Sequence, residues 1–272
     1  MQDIHLFYSE ILSMNSMFLG YASTPEISRE ALYGGGREIT STGEIAVRTW
    51  EDLRVGGRLI ISQVLGAIDD AALCGFDVSS LNENVLFELG YAIAREKRIW
   101  LLLEKTDVEA TKRWKQFDLL KGVGYVGWSN AEDLRIAFLR DRPDLAADVL
   151  YHDIIEPELS PTVPGSLFYM PSYNRTEPVR QLSRRLDIEL RRGVRLVVAD
   201  PTETSLNPLQ WYAAKVYETE CSIFHFEAPR RDLASLHNPR SALVAGLAHG
   251  LERPILMLAE EDYSPRSIMG IY

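Results

Sequence analysis

The stretch VLFELGYAIAREKRIWLLLE (Val85 to Glu104) recurs without a gap as SALVAGLAHGLERPILMLAE (Ser241 to Glu260). The register that sets Gly90 against Gly246 also sets Ala92 against Ala248, Ile99 against Ile255 and Glu104 against Glu260. In each copy, apolar residues recur at helical spacing and then run together as a buried strand. A second echo sets Ser166-Leu167-Phe168-Tyr169 against His5-Leu6-Phe7-Tyr8. Such self-similarity means that one supersecondary plan is built twice. The fold must therefore hold two related α/β units, which can pack on each other as a pseudo-dimer.

The first copy carries the chemistry. Asp77 to Glu104 reads as a strand end, a polar loop, a helix and a second strand. The loop Ser79-Ser80-Leu81-Asn82-Glu83-Asn84 offers helix N-caps. Val85, Leu89, Ala92 and Ile93 form one helical stripe, and Glu88 lies at its edge. A carboxylate there is expected to be half-buried and aimed at the carboxyl end of a neighbouring strand. Open α/β sheets bind ligands at such ends. Its place early in the helix is expected to favour the ionised form through unpaired backbone donors. In the second copy Val244 stands where Glu88 stands, so that copy keeps the fold positions and lacks the carboxylate.

FDVS followed by NENVLFELGYAIAREKRIWLL resembles the nucleoside 2-deoxyribosyltransferase-like and TIR-like group of nucleotide-binding domains. The resemblance covers roughly the first half of the chain. It implies a doubly wound α/β fold whose marker segment is a strand-end Asp, an Asn-containing loop and a helix with Glu-Leu-Gly-x-Ala. It makes Glu88 the catalytic residue for cleaving an N-glycosidic bond and sets Asp77 at the strand end. It also implies that such activity often belongs to regulated bacterial (antiviral) defence effectors that deplete NAD or nucleotides. A homo-oligomer or a regulatory partner protein fits that setting. Many relatives of this kind only bind nucleotides, so a sensor or assembly module without turnover is the alternative, and base exchange between deoxynucleosides is a third reading.

Composition sets the outer bounds. The chain has 272 residues, 46% of them hydrophobic and 25% charged, with a net charge of −10. That acidity argues against a general nucleic-acid binder, which needs a basic surface. No apolar run reaches membrane-spanning length, and the N-terminus lacks a signal-peptide pattern, so a cytoplasmic protein without membrane contact is expected. Cys74 and Cys221 fall in strand-like runs and read as buried free thiols. The histidines and cysteines show no metal-ligand spacing, so no metal and no cofactor are expected, with NAD as a possible substrate. No Gly-x-Ser-x-Gly motif points to a serine hydrolase.

Along the chain, Ile4 to Ser9 reads as the first strand, which would aim Tyr8 and Ser9 at the site. Ile27 to Leu32 reads as a short helix stopped by Gly34-Gly35-Gly36, a flexible connection rather than a phosphate loop. Glu44 to Trp50 alternates as a strand, Leu59 to Ile68 is a helix and Ala72 to Val78 a strand. Val123 to Trp128 closes the first sheet, and Asn130 caps a helix to Leu139. The fold class is therefore α/β, with two tandem flavodoxin-like units of mostly parallel sheet. The expected division is a catalytic unit over 1–145, a linker over 146–164 and a degenerate unit over 165–272. The second unit is expected to have one strand fewer, either lost or lying beyond Tyr272.

The candidate site residues are Glu88 and Asp77 for catalysis. Tyr8, Ser9, Trp50, Arg54, Asn82 and Asn84 are the candidates for holding a ribose, base or phosphate. Each also has a structural reading. Asp77 caps a turn, Asn82 and Asn84 cap a helix, and Tyr8, Trp50 and Arg54 pack or face solvent. His225 and His249 are read as packing residues.

Overall fold

The computed structural model describes residues 16–54, 56, 59–174, 176–200 and 208–263. The first half alternates strand and helix: β1 (Ser16–Gly20), α1 (Glu26–Ser41), β2 (Ala46–Thr49), α2 (Ile60–Asp70), β3 (Leu73–Asp77), α3 (Glu83–Ala94), β4 (Arg98–Glu104), α4 (Val108–Phe117), β5 (Val126–Trp128) and α5 (Ala131–Asp141). All five strands pair in parallel in the order β2-β1-β3-β4-β5, the flavodoxin-like order. A short α6 (Pro143–Ala146) and two irregular helical turns then lead to the second half. This predicted linker is packed, with Leu150 and Ile155 buried in the main core.

The second half repeats the plan with β6 (Ser166–Met170), α7 (Glu177–Arg191), β7 (Arg195–Val198), α8 (Leu209–Glu218), β8 (Cys221–Phe226), α9 (Ala234–Gly250) and β9 (Ile255–Ala259). Its parallel order is β7-β6-β8-β9 among the described residues. Phe18 and Phe168 sit alike in the two central strands, because Met17 pairs with Leu73 as Leu167 pairs with Cys221. The strand that matches β6 is thus Ser16–Gly20. The predicted first strand, Ile4 to Ser9, lies outside the described residues. The signal for the right match was the shared Ser-x-Phe of Ser16-Met17-Phe18 and Ser166-Leu167-Phe168.

One apolar core joins the halves. Helix α3 is buried on every side from Asn84 to Ala94, and α9 is buried over most of its length. The two helices pack face to face between the sheets. A Cβ on Gly90 would lie 2.0 Å from the Leu243 carbonyl oxygen, and one on Gly246 would lie 1.9 Å from that of Phe87. The contacts are reciprocal, since Gly90 and Phe87 in one copy correspond to Gly246 and Leu243 in the other. This is the pattern of a two-fold interface, here made within one chain. His249 fills the same seam, its ring 5.9 Å from Phe87 and 5.7 Å from Tyr91, in keeping with its packing role. Arg240 is buried and donates from Nε to the Phe117 carbonyl at 3.1 Å, so α9 also caps the C-terminal end of α4.

The triple glycine differs from the sequence reading. It lies inside α1, which runs on to Ser41. A Cβ at Gly36 would meet Val47 Cγ1 at 3.1 Å, and one at Gly35 would meet Leu134 of α5 at 2.6 Å. Three glycines weaken a helix by about 1 kcal/mol each. Here that is offset by a close approach of α1 to the sheet and to α5. Gly66 in α2 has no such duty, because nothing lies within 4 Å of an added Cβ. Gly66→Ala is therefore expected to stabilise the protein by roughly 0.5–1 kcal/mol, measured by denaturant unfolding.

Candidate active site

The β1/β3 boundary is where the strand order reverses, the place at which open α/β sheets generally bind ligands. Gly20 ends β1 and pairs with Phe76 of β3. Helix α3 starts from the β3 end, with Asn82 as its N-cap. The Asn82 side chain accepts from Asn84 N at 3.0 Å and from Val85 N at 3.3 Å. Two turns into the buried face comes Glu88. Its carboxyl reaches the C-terminal end of β1, where Oε2 lies 3.0 Å from the position a Cβ on Gly20 would take. Gly20 thus leaves room for the carboxyl group; any larger residue would press on it and on Phe76.

Glu88 is 5% exposed and has no hydrogen-bond partner among the described residues. Burial pushes its carboxyl up to about 8. The expected preference for the ionised form is therefore corrected. Glu88 lies beyond the first turn of α3, where backbone N–H groups are already paired within the helix. Desolvation then acts unopposed.

A second buried carboxylate shows what a purely structural one looks like in this fold. Glu227 follows β8 and is fully buried. It accepts from the Ser172 hydroxyl, from Asn174 N at 3.0 Å and from Asn174 Nδ2 at 2.9 Å. Glu227 is enclosed by donors, and Glu88 has none among the described residues. Nothing in the sequence singled out Glu227, because the donors to its carboxylate come from 53 and 55 positions away.

Asp77 does not join Glu88. Strand alternation places Leu73, Gly75 and Asp77 on the face covered by α1 and α5, while α3 covers the other. Asp77 accepts from the Ser79 hydroxyl at 2.5 Å and from Trp128 Nε1 at 3.1 Å. Ser79 Oγ accepts in turn from Glu104 N at 2.8 Å, so Asp77 ties together the ends of β3, β4 and β5. Burial raises its carboxyl to about 6 against the lowering effect of these bonds. Asp77→Ala is expected to cost roughly 1–3 kcal/mol in denaturant unfolding, because it strands the Trp128 and Ser79 donors. Asp77→Asn keeps an acceptor there and is expected to cost less.

The other predicted residues scatter. Tyr8 and Ser9 lie outside the described residues. Trp50 follows β2, half-buried, with its indole N–H buried and without a partner among the described residues. Its ring lies 6.2 Å from that of Tyr21. Arg54 is exposed. Asn84 is buried in the first turn of α3. Asn82 caps the helix and lines a groove of about 230 Å³ between the halves, which Glu88 does not line.

Sequence reasoning missed the residues that follow β1. Tyr21 is buried and donates to Glu51 Oε1 at 2.9 Å, while Arg29 grips the same carboxylate from Nε at 3.1 Å and from its terminal nitrogen at 2.7 Å. The Arg29 bond holds the Glu51 carboxyl below its usual range, and burial raises the Tyr21 hydroxyl. This network fixes the β1 and β2 ends beside Gly20.

Among the described residues, no group of His, Cys, Asp and Glu has the arrangement to hold a metal ion, and no helix is long and apolar enough to cross a membrane. Cys74 is buried and Cys221 half-buried, both as free thiols. Comparisons with protein-family models, with curated proteins and with solved structures each return no match. Fold and site together define a duplicated, doubly wound α/β protein with a buried carboxyl group at the switch point of its first sheet, without a hydrogen-bond partner among the described residues.

Proposed function

We propose that the chain cleaves the N-glycosidic bond of a nucleotide, NAD foremost, or of a nucleoside, with Glu88 as the essential carboxylate. The observation that carries this reading is the position of Glu88. A buried carboxyl group without donors disfavours folding, and here it lies where open α/β sheets bind ligands. Strained groups of this kind concentrate at functional sites.

The reaction needs little more than that group. The carbon–nitrogen bond breaks, and the base leaves with the bonding pair. Nicotinamide leaves neutral because it starts as a pyridinium; a neutral nucleoside base must take up a proton. The sugar carries oxocarbenium character, which a carboxylate beside the anomeric carbon stabilises or captures covalently. Water then delivers hydroxide to that carbon and a proton to solvent. Ribose hydroxyls donating to Glu88 would supply the missing hydrogen bonds and lower its pKa on binding.

The test is mass-spectrometric detection of products from NAD and a nucleoside panel, with wild type and Glu88→Gln side by side. Release of nicotinamide or a free base by wild type, reduced at least about a hundredfold in the variant, is the expected outcome. Equal release by both would remove Glu88 from the mechanism.

Val244 at the Glu88 position of the second copy favours one other reading, a nucleotide-binding module without turnover. Nucleotide protection against heat unfolding with no product from either chain would select it. A regulated effector that requires assembly or a trigger predicts that release rises steeply with protein concentration or with an added partner.

A further inference from the structure

A cleft of about 860 Å³ opens in the second half, between α7 and the carboxyl-terminal ends of β6 and β7. The corresponding place in the first half is filled. Leu19 of β1 and Tyr169 of β6 hold matching strand positions. Over Leu19 lies α1, whose Gly36 would put an added Cβ 3.5 Å from the Leu19 side chain. Helix α7 has no glycine and presents Val179, Ser183 and Leu186 to the cleft instead. In the first half α1 is also braced by α5, and α7 has no such neighbour among the described residues. The bulkier helix stands away from the sheet, and a cavity results.

The lining has a polarity. Leu186, Leu196 and Val198 make an apolar wall, although Val198 remains 47% exposed. Tyr169 lines the cleft at 3% exposure, and its hydroxyl is buried without a hydrogen-bond partner among the described residues. An unsatisfied buried hydroxyl is costly, and a ligand polar group would recover that cost. Tyr173, 42% exposed, offers an aromatic face. Arg180 and Arg184, one helical turn apart, supply positive charge. Glu177 pairs closely with Arg180 at 2.9 Å but reaches Arg184 only at 3.9 Å, leaving Arg184 the freer cation. Asp187 lies one turn beyond Arg184, so the positive part of the cleft is the side of Arg180 and Arg184 away from Asp187.

We infer that this cleft is a second ligand site, separate from Glu88, for a heteroaromatic molecule of mononucleotide size that carries one anionic group. The ring lies along the apolar wall, one of its polar atoms bonds the Tyr169 hydroxyl, and the anion meets Arg184. The volume is that of a small-molecule site.

The experiment is isothermal titration of the full chain with AMP and UMP, with adenosine as the uncharged control, alongside deuterium exchange. At least one nucleotide is expected to bind and to slow exchange in the segments around Tyr169, α7 and Val198. Tyr169→Phe keeps the ring and its packing and is expected to weaken binding about tenfold, the value of one hydrogen bond. Arg184→Gln is expected to weaken the nucleotides several-fold and leave adenosine unchanged. Three results would each overturn the inference: no binding by either nucleotide at millimolar concentration, equal binding by wild type and both variants, or protection confined to the segments around Glu88.

Discussion

Glu88→Gln is expected to give a more stable protein that has lost turnover, with a stability gain that grows with pH. The folded-state pKa of Glu88, about 8, lies above the ordinary carboxyl value. The group therefore penalises folding least while it is protonated in both states, below the unfolded value near 4.5. Stability then falls as pH rises toward 8, because the unfolded chain has released the proton and the folded chain retains it. Asp77 acts in the same sense over a narrower window, ending near 6. Wild type is thus expected to melt at a lower temperature at pH 8 than at pH 5. Glutamine does not titrate and removes the Glu88 part of that loss, roughly 2–4 kcal/mol at pH 8 and little at pH 4.5. Calorimetric scans of both chains across this range are the measurement. Identical pH profiles would mean that Glu88 is ionised and well solvated.

The same titration bears on catalysis. If Glu88 acts as a carboxylate, kcat/KM rises with pH up to the free-enzyme value near 8 and then levels. A fall over that interval would instead make Glu88 the proton donor to the leaving base. Stabilisation combined with lost activity is the signature of a residue kept for function against the interest of folding.

The second large effect belongs to the seam between the halves. Gly90→Ala and Gly246→Ala place a methyl group about where a facing carbonyl oxygen already lies, at 2.0 and 1.9 Å. Backbone cannot rotate away as a side chain can, so α3 and α9 must separate. Each substitution is expected to cost roughly 3 kcal/mol or more, despite alanine's better helix propensity. The two should fail alike, because the contacts are reciprocal. Gly66→Ala, also in a helix, is the control that should change stability the other way. Denaturant unfolding of the three variants tests the set. Tolerance of alanine at both seam positions would mean that the helices lie farther apart than described.

Much of this was legible along the chain. The helix and strand from Asn82 to Glu104 follow from periodicity and from a cap that reaches only two and three residues ahead. Asn130 was read as a cap in the same way, and its side chain accepts from Asp133 N at 2.9 Å. The gapless repeat revealed two units because equivalent helices must bury equivalent faces. Position 88 stood out because a carboxylate lies at the edge of that face, in the segment that carries the family resemblance.

Tertiary structure decided the rest. Ile4 to Ser9 reads as the first strand, and it is the pairing with β3 that shows Ser16–Gly20 in the central place. Asp77 and Glu88 are close in sequence but lie on opposite faces, since a strand alternates its side chains and a helix follows on one face only. The glycines of α1 looked like a break, and the closeness of Val47 and Leu134 makes them a contact surface. The sequence by itself determined what depends on neighbours a few residues apart: helices, strands, caps and the duplication. Which glycines are indispensable, and which buried carboxylate finds donors among the described residues, depend on atoms brought together from distant segments, because exclusion of water and close packing are sums over everything nearby in space.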